Sequence, residues 1–187
     1  MSEVRDDTDV IRGICSQDAQ ALGELYDRYG RLVFAVIFRM LSARDVAEEV
    51  TQDVFHTIWR RADSYRADRG AVRGWILTIA RNAAIDWRRS KRSRVEREAP
   101  IDEAGQMSGG QSVEDQVDVR LRDGRVRNVV RALPEEQRRV LDLAFWGGLS
   151  QSEISTRTGV PLGTVKSRVR LAMAKLKDGL AEEVGET

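Results

Sequence analysis

Between residues 45 and 59 apolar side chains return at every fourth position: Val46, Val50, Val54 and Ile58, with Ala47 and Phe55 beside them. Glu48, Glu49, Gln52, Asp53 and His56 fill the gaps. That spacing predicts a helix with one apolar stripe, not a strand, whose period is two. Ser42, three residues before Asp45, fits a cap for it. Upstream, Ala21, Leu22, Leu25, Tyr26 and Tyr29 stripe another helix, and Leu32 to Leu41 supply a more apolar one. Trp75 to Trp87 forms a fourth, with Ile76, Ile79, Ala80, Ala83 and Trp87 turned inward. Trp75 and Trp87 share roughly one helical face with these residues, which marks them mainly as core. No glycine or proline interrupts Arg31 to Arg69. The nearest candidate for a strand, Val126 to Val130, fits a helix better in context.

The second half repeats this helical grammar with sharper punctuation. Val119 to Leu133 reads as helix. Leu133-Pro134-Glu135-Glu136 opens the next one, with proline at its first position and acids at the positive end of the helix dipole. Gly147-Gly148 ends it. Ser150-Gln151-Ser152-Glu153 has the spacing of a capping box, and Leu149 and Ile154 give the short helix that follows an inner side. Gly159 supplies a turn. A final helix starts within Pro161 to Thr164 and runs to about Lys177. Its inner stripe is Val165, Val169, Met173 and Leu176; its outer face is Lys166, Ser167, Arg168, Arg170 and Lys175. A capped helix, a glycine turn and a basic helix in that order predict a helix-turn-helix. The start of the second helix can offer Thr164 and backbone N–H groups to phosphate.

Composition adds a constraint and a puzzle. The 187 residues carry 31 Lys+Arg against 30 Asp+Glu, a net charge of only +1. This balance excludes a highly basic nucleic-acid coat and an acidic disordered activator. The total hides blocks: residues 81–94 carry +5, residues 95–118 carry −6 and residues 157–177 carry +6. The acidic block also holds Pro100, Gly105, Ser108, Gly109, Gly110 and Ser112, a linker composition. The predicted architecture is therefore all-α: a helical domain over 1–94, a flexible acidic linker over 95–118 and a helix-turn-helix domain over 119–187. Ala181 to Thr187 reads as a short acidic tail.

The longest unbroken apolar run, Leu32 to Phe38, falls far short of the roughly 20 residues of a membrane span. The first residues, Met1 to Asp7, are acidic and carry no apolar signal core. The single cysteine, Cys15, excludes an internal disulfide, and with the single histidine, His56, it leaves no Cys/His zinc site. A cytoplasmic protein without metal or cofactor is expected. Cys15 reads as an inert residue near a helix start, and His56 as a solvent- or partner-facing side chain. No nucleophile–base pair is in view, so no enzyme is predicted.

The motifs resemble a known family. Leu133-Pro134, Gly148-Leu149-Ser150, Glu153-Ile154 and Gly159-Val160-Pro161-Leu162-Gly163-Thr164-Val165-Lys166-Ser167-Arg168 are similar to the −35-reading domain of extracytoplasmic-function (ECF) sigma factors. These are small relatives of the bacterial sigma-70 proteins. The first half is similar to that family's other domain through Leu25-Tyr26-Asp27-Arg28-Tyr29, Ala47 to Phe55, Gly74 to Asn82 and Ala84-Ile85-Asp86. The resemblance spans nearly the whole chain, in order.

The resemblance implies roles. Glu48, Glu49, Gln52, Asp53, Val54 and Phe55 would bind a coiled coil of core RNA polymerase. The segment from Tyr65 to Gly74 resembles the loop that captures a −10 base, with Arg66, Arg69 and Arg73 as contacts and Tyr65 as a stacking candidate. Asn82 would meet a base edge, and Arg81, Arg88 and Arg89 the backbone. Thr164, Lys166, Ser167, Arg168 and Arg170 would read −35 DNA. The partners implied are core polymerase, promoter DNA and an anti-sigma protein of the kind common in the family; no homo-oligomer is expected. The alternative is a helix-turn-helix regulator that works without polymerase. The resemblance also threads the linker through a polymerase channel later taken by RNA, where its acids would mimic RNA charge. Replacing Glu96, Glu98, Asp102 and Glu103 with Gln is then expected to weaken core binding in a salt-dependent way. Unchanged affinity at low salt would sink that reading.

Overall fold

A computed structural model describes residues 5–98 and 124–182, with side chains over 5–91 and 128–179. Among these residues every regular element is helical: α1 Asp7–Cys15, α2 Ala19–Leu41, α3 Arg44–Arg61, α4 Val72–Glu98, α5 Gly124–Ala132, α6 Glu135–Phe145, α7 Gln151–Thr158 and α8 Leu162–Glu182. The 3₁₀ turns Ala62–Ser64 and Ala67–Arg69 join α3 to α4. The chain divides into two compact units, Met1–Val117 and Asp118–Thr187. Most of the acidic segment lies outside the described residues. Its first four positions, 95–98, belong to α4, so that helix runs past the boundary expected at Arg94.

In the first unit α2 packs against α1, α3 and α4, and α3 packs against α4. Their shared core holds Val10 and Ile14 of α1, Leu25, Val33 and Ile37 of α2, Val54 and Ile58 of α3, and Ile76 of α4, all fully buried. Each such side chain contributes about 1.5–3 kcal/mol on leaving water. The expected α3 stripe holds, with Val46 only half-buried, and Glu48, Glu49, Gln52, Asp53 and His56 are exposed. On α4 the buried positions are Val72, Ile76, Ala80, Ala84 and Ile85; Ile79, Ala83, Trp75 and Trp87 are half-buried at its margin.

Three local expectations are corrected. The two helices expected over 21–41 are one, α2. Gly30 does not break it and is buried beside the Tyr26 ring. Ser42 does not cap α3: it ends α2 in the left-handed region at φ 56°, and Ala43 precedes α3 without a side-chain cap. Cys15 closes a helix instead of starting one. That helix, α1, has no long apolar stripe to announce it, and Asp6 caps it by accepting from the Asp9 amide at 2.7 Å.

Ion pairs far apart in sequence pin α1 to α2. Arg28 binds Asp7 at 2.7 Å and also Glu24, while Arg5 binds Glu24 at 2.8 Å and Asp18 at 3.4 Å. Asp18 caps α2; the Gln20 amide is the main cause that holds its carboxyl below the usual value. The Tyr29 hydroxyl donates to Asp7.

The second unit packs α5, α6 and α7 against α8. Val140, Ile154 and Val165 form its centre, with Leu143, Ala144, Leu149, Val160 and Val169 around them. Pro134 is the N-cap of α6, one position before the first-turn place expected for it. At the end of α6, the Gly147 and Leu149 amides donate to Asp142 and Leu143 carbonyls, and Gly148 has φ 64°. A Cβ on Gly147 would lie 2.4 Å from the Leu143 oxygen, so glycine is required there. The inner stripe of α8 is Val165, Val169, Ala172 and Leu176; Met173 is 55% exposed. Steps of four drift by about 40° each, and the step of three from Val169 to Ala172 restores the face. Residues 119–123 of the helix expected before Leu133, and 183–187 of the tail, lie outside the described residues.

Burial and the bond to Asp7 push the Tyr29 hydroxyl up from 10.0 to about 12. A raised folded-state pKa stabilises fully below the unfolded value and is lost as pH rises through the folded one. The stability gap between the wild type and Tyr29→Phe is therefore expected to be about 1 kcal/mol at pH 8 and to shrink between pH 10 and 12. Urea unfolding at fixed pH measures it, and a gap that does not change with pH would contradict the assignment.

Candidate nucleic-acid interface

The helix-turn-helix is built from local bonds. The Ser150 hydroxyl accepts from the Glu153 amide at 3.2 Å, and Glu153 accepts from the Ser150 amide at 2.7 Å, closing the capping box. Gly159 ends α7 at φ 69°, in the left-handed region that favours glycine. The Ser155 hydroxyl donates to the Val160 carbonyl at 2.7 Å and braces the turn. The Pro161 carbonyl accepts from the Thr164 and Val165 amides at 2.9 and 3.0 Å, so these two N–H groups are already engaged.

Turning Val165, Val169 and Ala172 inward decides what α8 shows outward. At about 100° per residue, Gly163, Lys166, Ser167 and Arg170 fall on the opposite side. Lys166 and Arg170 are exposed, one turn apart, while Thr164 and Ser167 are half-buried and the Ser167 hydroxyl donates to the Thr164 carbonyl at 2.9 Å. Arg168 sits at the edge of the core face instead. It is only 24% exposed and pairs with Glu136 of α6 at 2.5 Å. It joins two helices of its own unit and is not part of the outward stripe.

In the first unit the α3–α4 connection and α4 gather the other basic candidates. The Tyr65 ring lies 5.6 Å from the Trp75 ring, and its hydroxyl donates to the Gly70 carbonyl at 3.0 Å. The Arg66 guanidinium turns back to the carbonyls of Asp63 at 3.0 Å and Tyr65 at 3.4 Å. Arg69 is exposed and Arg73 half-buried. Along α4, Asn82 and Arg89 share an exposed face, and Arg81 and Arg88 are half-buried beside it. Burial, and then the charge of Arg89, holds the Arg81 guanidinium below the usual arginine value. Lys91 stands 5.2 Å from the Trp87 ring centre.

The acidic face of α3 borders a shallow groove of about 470 Å³ lined by Ala19, Leu22, Tyr26, Gln52, Phe55, His56 and Trp59. Val54, expected to contact a partner, is fully buried and belongs to the core. Phe55 is 5% exposed and meets Tyr26 edge-on at 4.8 Å. The large apolar side chain exposed there is Tyr26, at 50%. Sequence reasoning missed Ala19, Leu22, Tyr26 and Trp59 as groove residues. The helical stripe containing Leu22 and Tyr26 is visible in the sequence, but not which of its members the core leaves uncovered.

Comparison with known proteins agrees along the chain. Residues 25–94 match Sigma-70 region 2, and residues 123–176 match Sigma-70, region 4. The chain is 34% identical over 168 residues to the ECF RNA polymerase sigma factor RpoE of Cereibacter sphaeroides, covering 88% of this chain and 89% of that one. It is 30% identical over 171 residues to the ECF RNA polymerase sigma factor SigK of Mycobacterium tuberculosis, covering 91% of each. Among solved structures it is similar to SigE of Rhodobacter sphaeroides, crystallised with the anti-sigma ChrR, at 34% identity, 95% of this chain, 99% of that one and a TM-score of 0.48. The chain belongs to the ECF sigma factors of the sigma-70 family. It is a regulatory subunit of RNA polymerase that directs transcription initiation.

The Glu136–Arg168 pair gives a test of how α8 is held. A surface ion pair with one partner largely in solvent, as Glu136 is here, contributes about 0.2–1 kcal/mol. Glu136→Gln and Arg168→Met are each expected to lower thermal stability by that order, and the double variant by less than their sum. Strict additivity in the melting curves would mean that the two side chains do not act on each other.

Proposed function

We propose that this subunit confers promoter specificity through three surfaces, and that the polymerase core supplies the catalysis. The acidic face Glu48, Glu49, Gln52 and Asp53, with the groove walled by Tyr26, docks a basic amphipathic helical element of core polymerase. Charge opposition guides the encounter, and the apolar groove supplies the desolvated contact. Val54 and Phe55 support this surface from within.

The loop from Tyr65 to Gly74 and the basic face of α4 hold the −10 region as it opens. Arg81, Arg88 and Arg89 grip the backbone, Asn82 meets a base edge, and Arg69 and Arg73 contact the strand near the loop. Arg66 shapes the loop by binding its carbonyls. The second unit reads −35 DNA through Lys166 and Arg170, with Thr164 and Ser167 at their flank and Arg168 as brace. The single observation that carries the reading is the outward stripe Lys166–Ser167–Arg170 on a helix fixed by a closed capping box and a glycine turn. Major-groove recognition needs such a rigid, basic, hydroxyl-bearing face.

An anti-sigma protein that covers the α2–α3 surface is the regulatory partner this reading expects. No helix among the described residues is long and apolar enough to cross a membrane, and the site of action is the cytoplasm, with the polymerase.

Purified core polymerase with this chain is expected to give run-off transcripts from specific promoters; none would favour a helix-turn-helix regulator that works alone. Lys166→Ala or Arg170→Ala is expected to cost about 1–3 kcal/mol of promoter binding if base edges are read. An equal loss on random DNA would identify a phosphate contact instead. Glu49→Lys with Asp53→Lys is expected to reduce core affinity in pull-downs, most strongly at low salt.

A further inference from the structure

The sequence marks Tyr65 as the stacking candidate of the −10 loop, but the structure gives its side chain two intramolecular partners. The ring rests at 5.6 Å on Trp75, tilted by 58°. The hydroxyl donates to the Gly70 carbonyl at 3.0 Å. Between the two ends of this bond lie Arg66 and the 3₁₀ turn Ala67–Arg69. Within that span the Arg69 amide donates to the Arg66 carbonyl at 3.0 Å and the Gly70 amide to the Ala67 carbonyl at 3.4 Å. On the near side, the Tyr65 amide donates to the Ala62 carbonyl at 3.1 Å, and the Arg66 guanidinium binds the Asp63 and Tyr65 carbonyls.

Gly70 completes the closure. Its backbone lies at φ 135° and ψ 175°, a region essentially confined to glycine. A Cβ there would meet nothing within 4 Å, so conformation and not space requires the glycine. The aromatic clasp and the glycine bend act on one carbonyl, and the side chains left outward between them are Ala67, Asp68 and Arg69, all exposed.

We infer that Tyr65 is a positioning residue for promoter opening: its hydroxyl clasps Gly70 and holds the 66–70 loop in the shape that receives an unstacked base. It does not itself stack on DNA. This inference rests on the −10 role proposed above for the loop. A loop already folded in its binding shape loses less entropy on capture than one ordered by the ligand. The backbone and Arg69 meet the strand; Tyr65 acts through Gly70.

The test uses the full chain in holoenzyme on the strongest promoter found by run-off transcription of genomic DNA. Permanganate reactivity of the −10 thymines reads opening. Holoenzyme assembly and duplex −35 binding are the controls. Tyr65→Phe keeps the ring on Trp75 and removes only the clasp. It is expected to lower the extent of opening about fivefold, the factor of one ordinary hydrogen bond, with both controls unchanged. Gly70→Ala is expected to do the same, and the double variant to lose little more than either single one. Full opening by Tyr65→Phe together with failure of Tyr65→Leu would show that the ring matters and the clasp does not, and would overturn the inference. Additive losses in the double variant, or equal damage to −35 binding and assembly, would overturn it too. Absence of promoter-dependent opening by the wild type refutes the parent reading of the loop; opening by the wild type and by Tyr65→Phe alike refutes the clasp alone.

Discussion

Burial of the branched aliphatic stripes is the constraint from which the other surfaces follow. A helix has one circumference, and committing one arc to the core leaves the opposite arc to water or a partner. In α3 the buried arc Ala47, Val50, Val54 and Ile58 sends Glu48, Glu49, Gln52 and Asp53 outward. In α8 the inner arc, with Val165 and Ala172 buried and Val169 half-buried, sends Lys166 and Arg170 outward. Both candidate interfaces are thus complements of cores. Shifting a whole stripe by one position would rotate the outward face by about 100°.

The same rule explains what could be read from the chain beforehand. Signals whose two halves lie within one helical turn were legible. The Ser150–Glu153 box, the Gly159 turn and the α3 stripe needed no knowledge of the rest of the fold. Features settled by distant contacts were not. Helix α1 is held by Arg28 on Asp7, 21 positions away, and by Arg5 on Glu24, 19 away. The stripes over 21–29 and 32–41 look like two helices in sequence, but α2 runs through Gly30 without a break. Ser42 has the composition of an N-cap and serves as the end of the preceding helix. Stepping in fours along α8 turns Met173 inward, but the helix needs a step of three to Ala172 to keep the face.

The candidate sites divide along the same line. The sequence names the arginines but not their commitments. Arg66 is turned onto neighbouring carbonyls, and Arg168 is paired with a glutamate 32 positions away. Each guanidinium has five donors in a fixed fork, so one held internally is better suited to setting a loop or bracing a helix than to meeting a base. Lys166, Arg69, Arg89 and Arg170, exposed at their elements' surfaces, keep the reach that DNA contact needs. Position in the fold, and not residue type, separates the two groups.

This bears on the near-zero net charge. A total of +1 conceals +5, −6 and +6 in successive blocks. Non-specific DNA affinity grows with the number of phosphates neutralised together, because each contact releases counterions. Internal pairing of Arg168 lowers that number for the second unit, and the acidic block of residues 95–118 offsets much of the positive charge in the sum. On the proposed reading, the isolated subunit therefore gains little from random DNA. Engagement of both units on one polymerase changes the arithmetic: once one contacts its element, the other binds as if at high local concentration, and two modest affinities multiply. A balanced chain with segregated charge is then compatible with selective promoter binding, since weak grip outside the holoenzyme is what leaves the choice of site to the assembled complex.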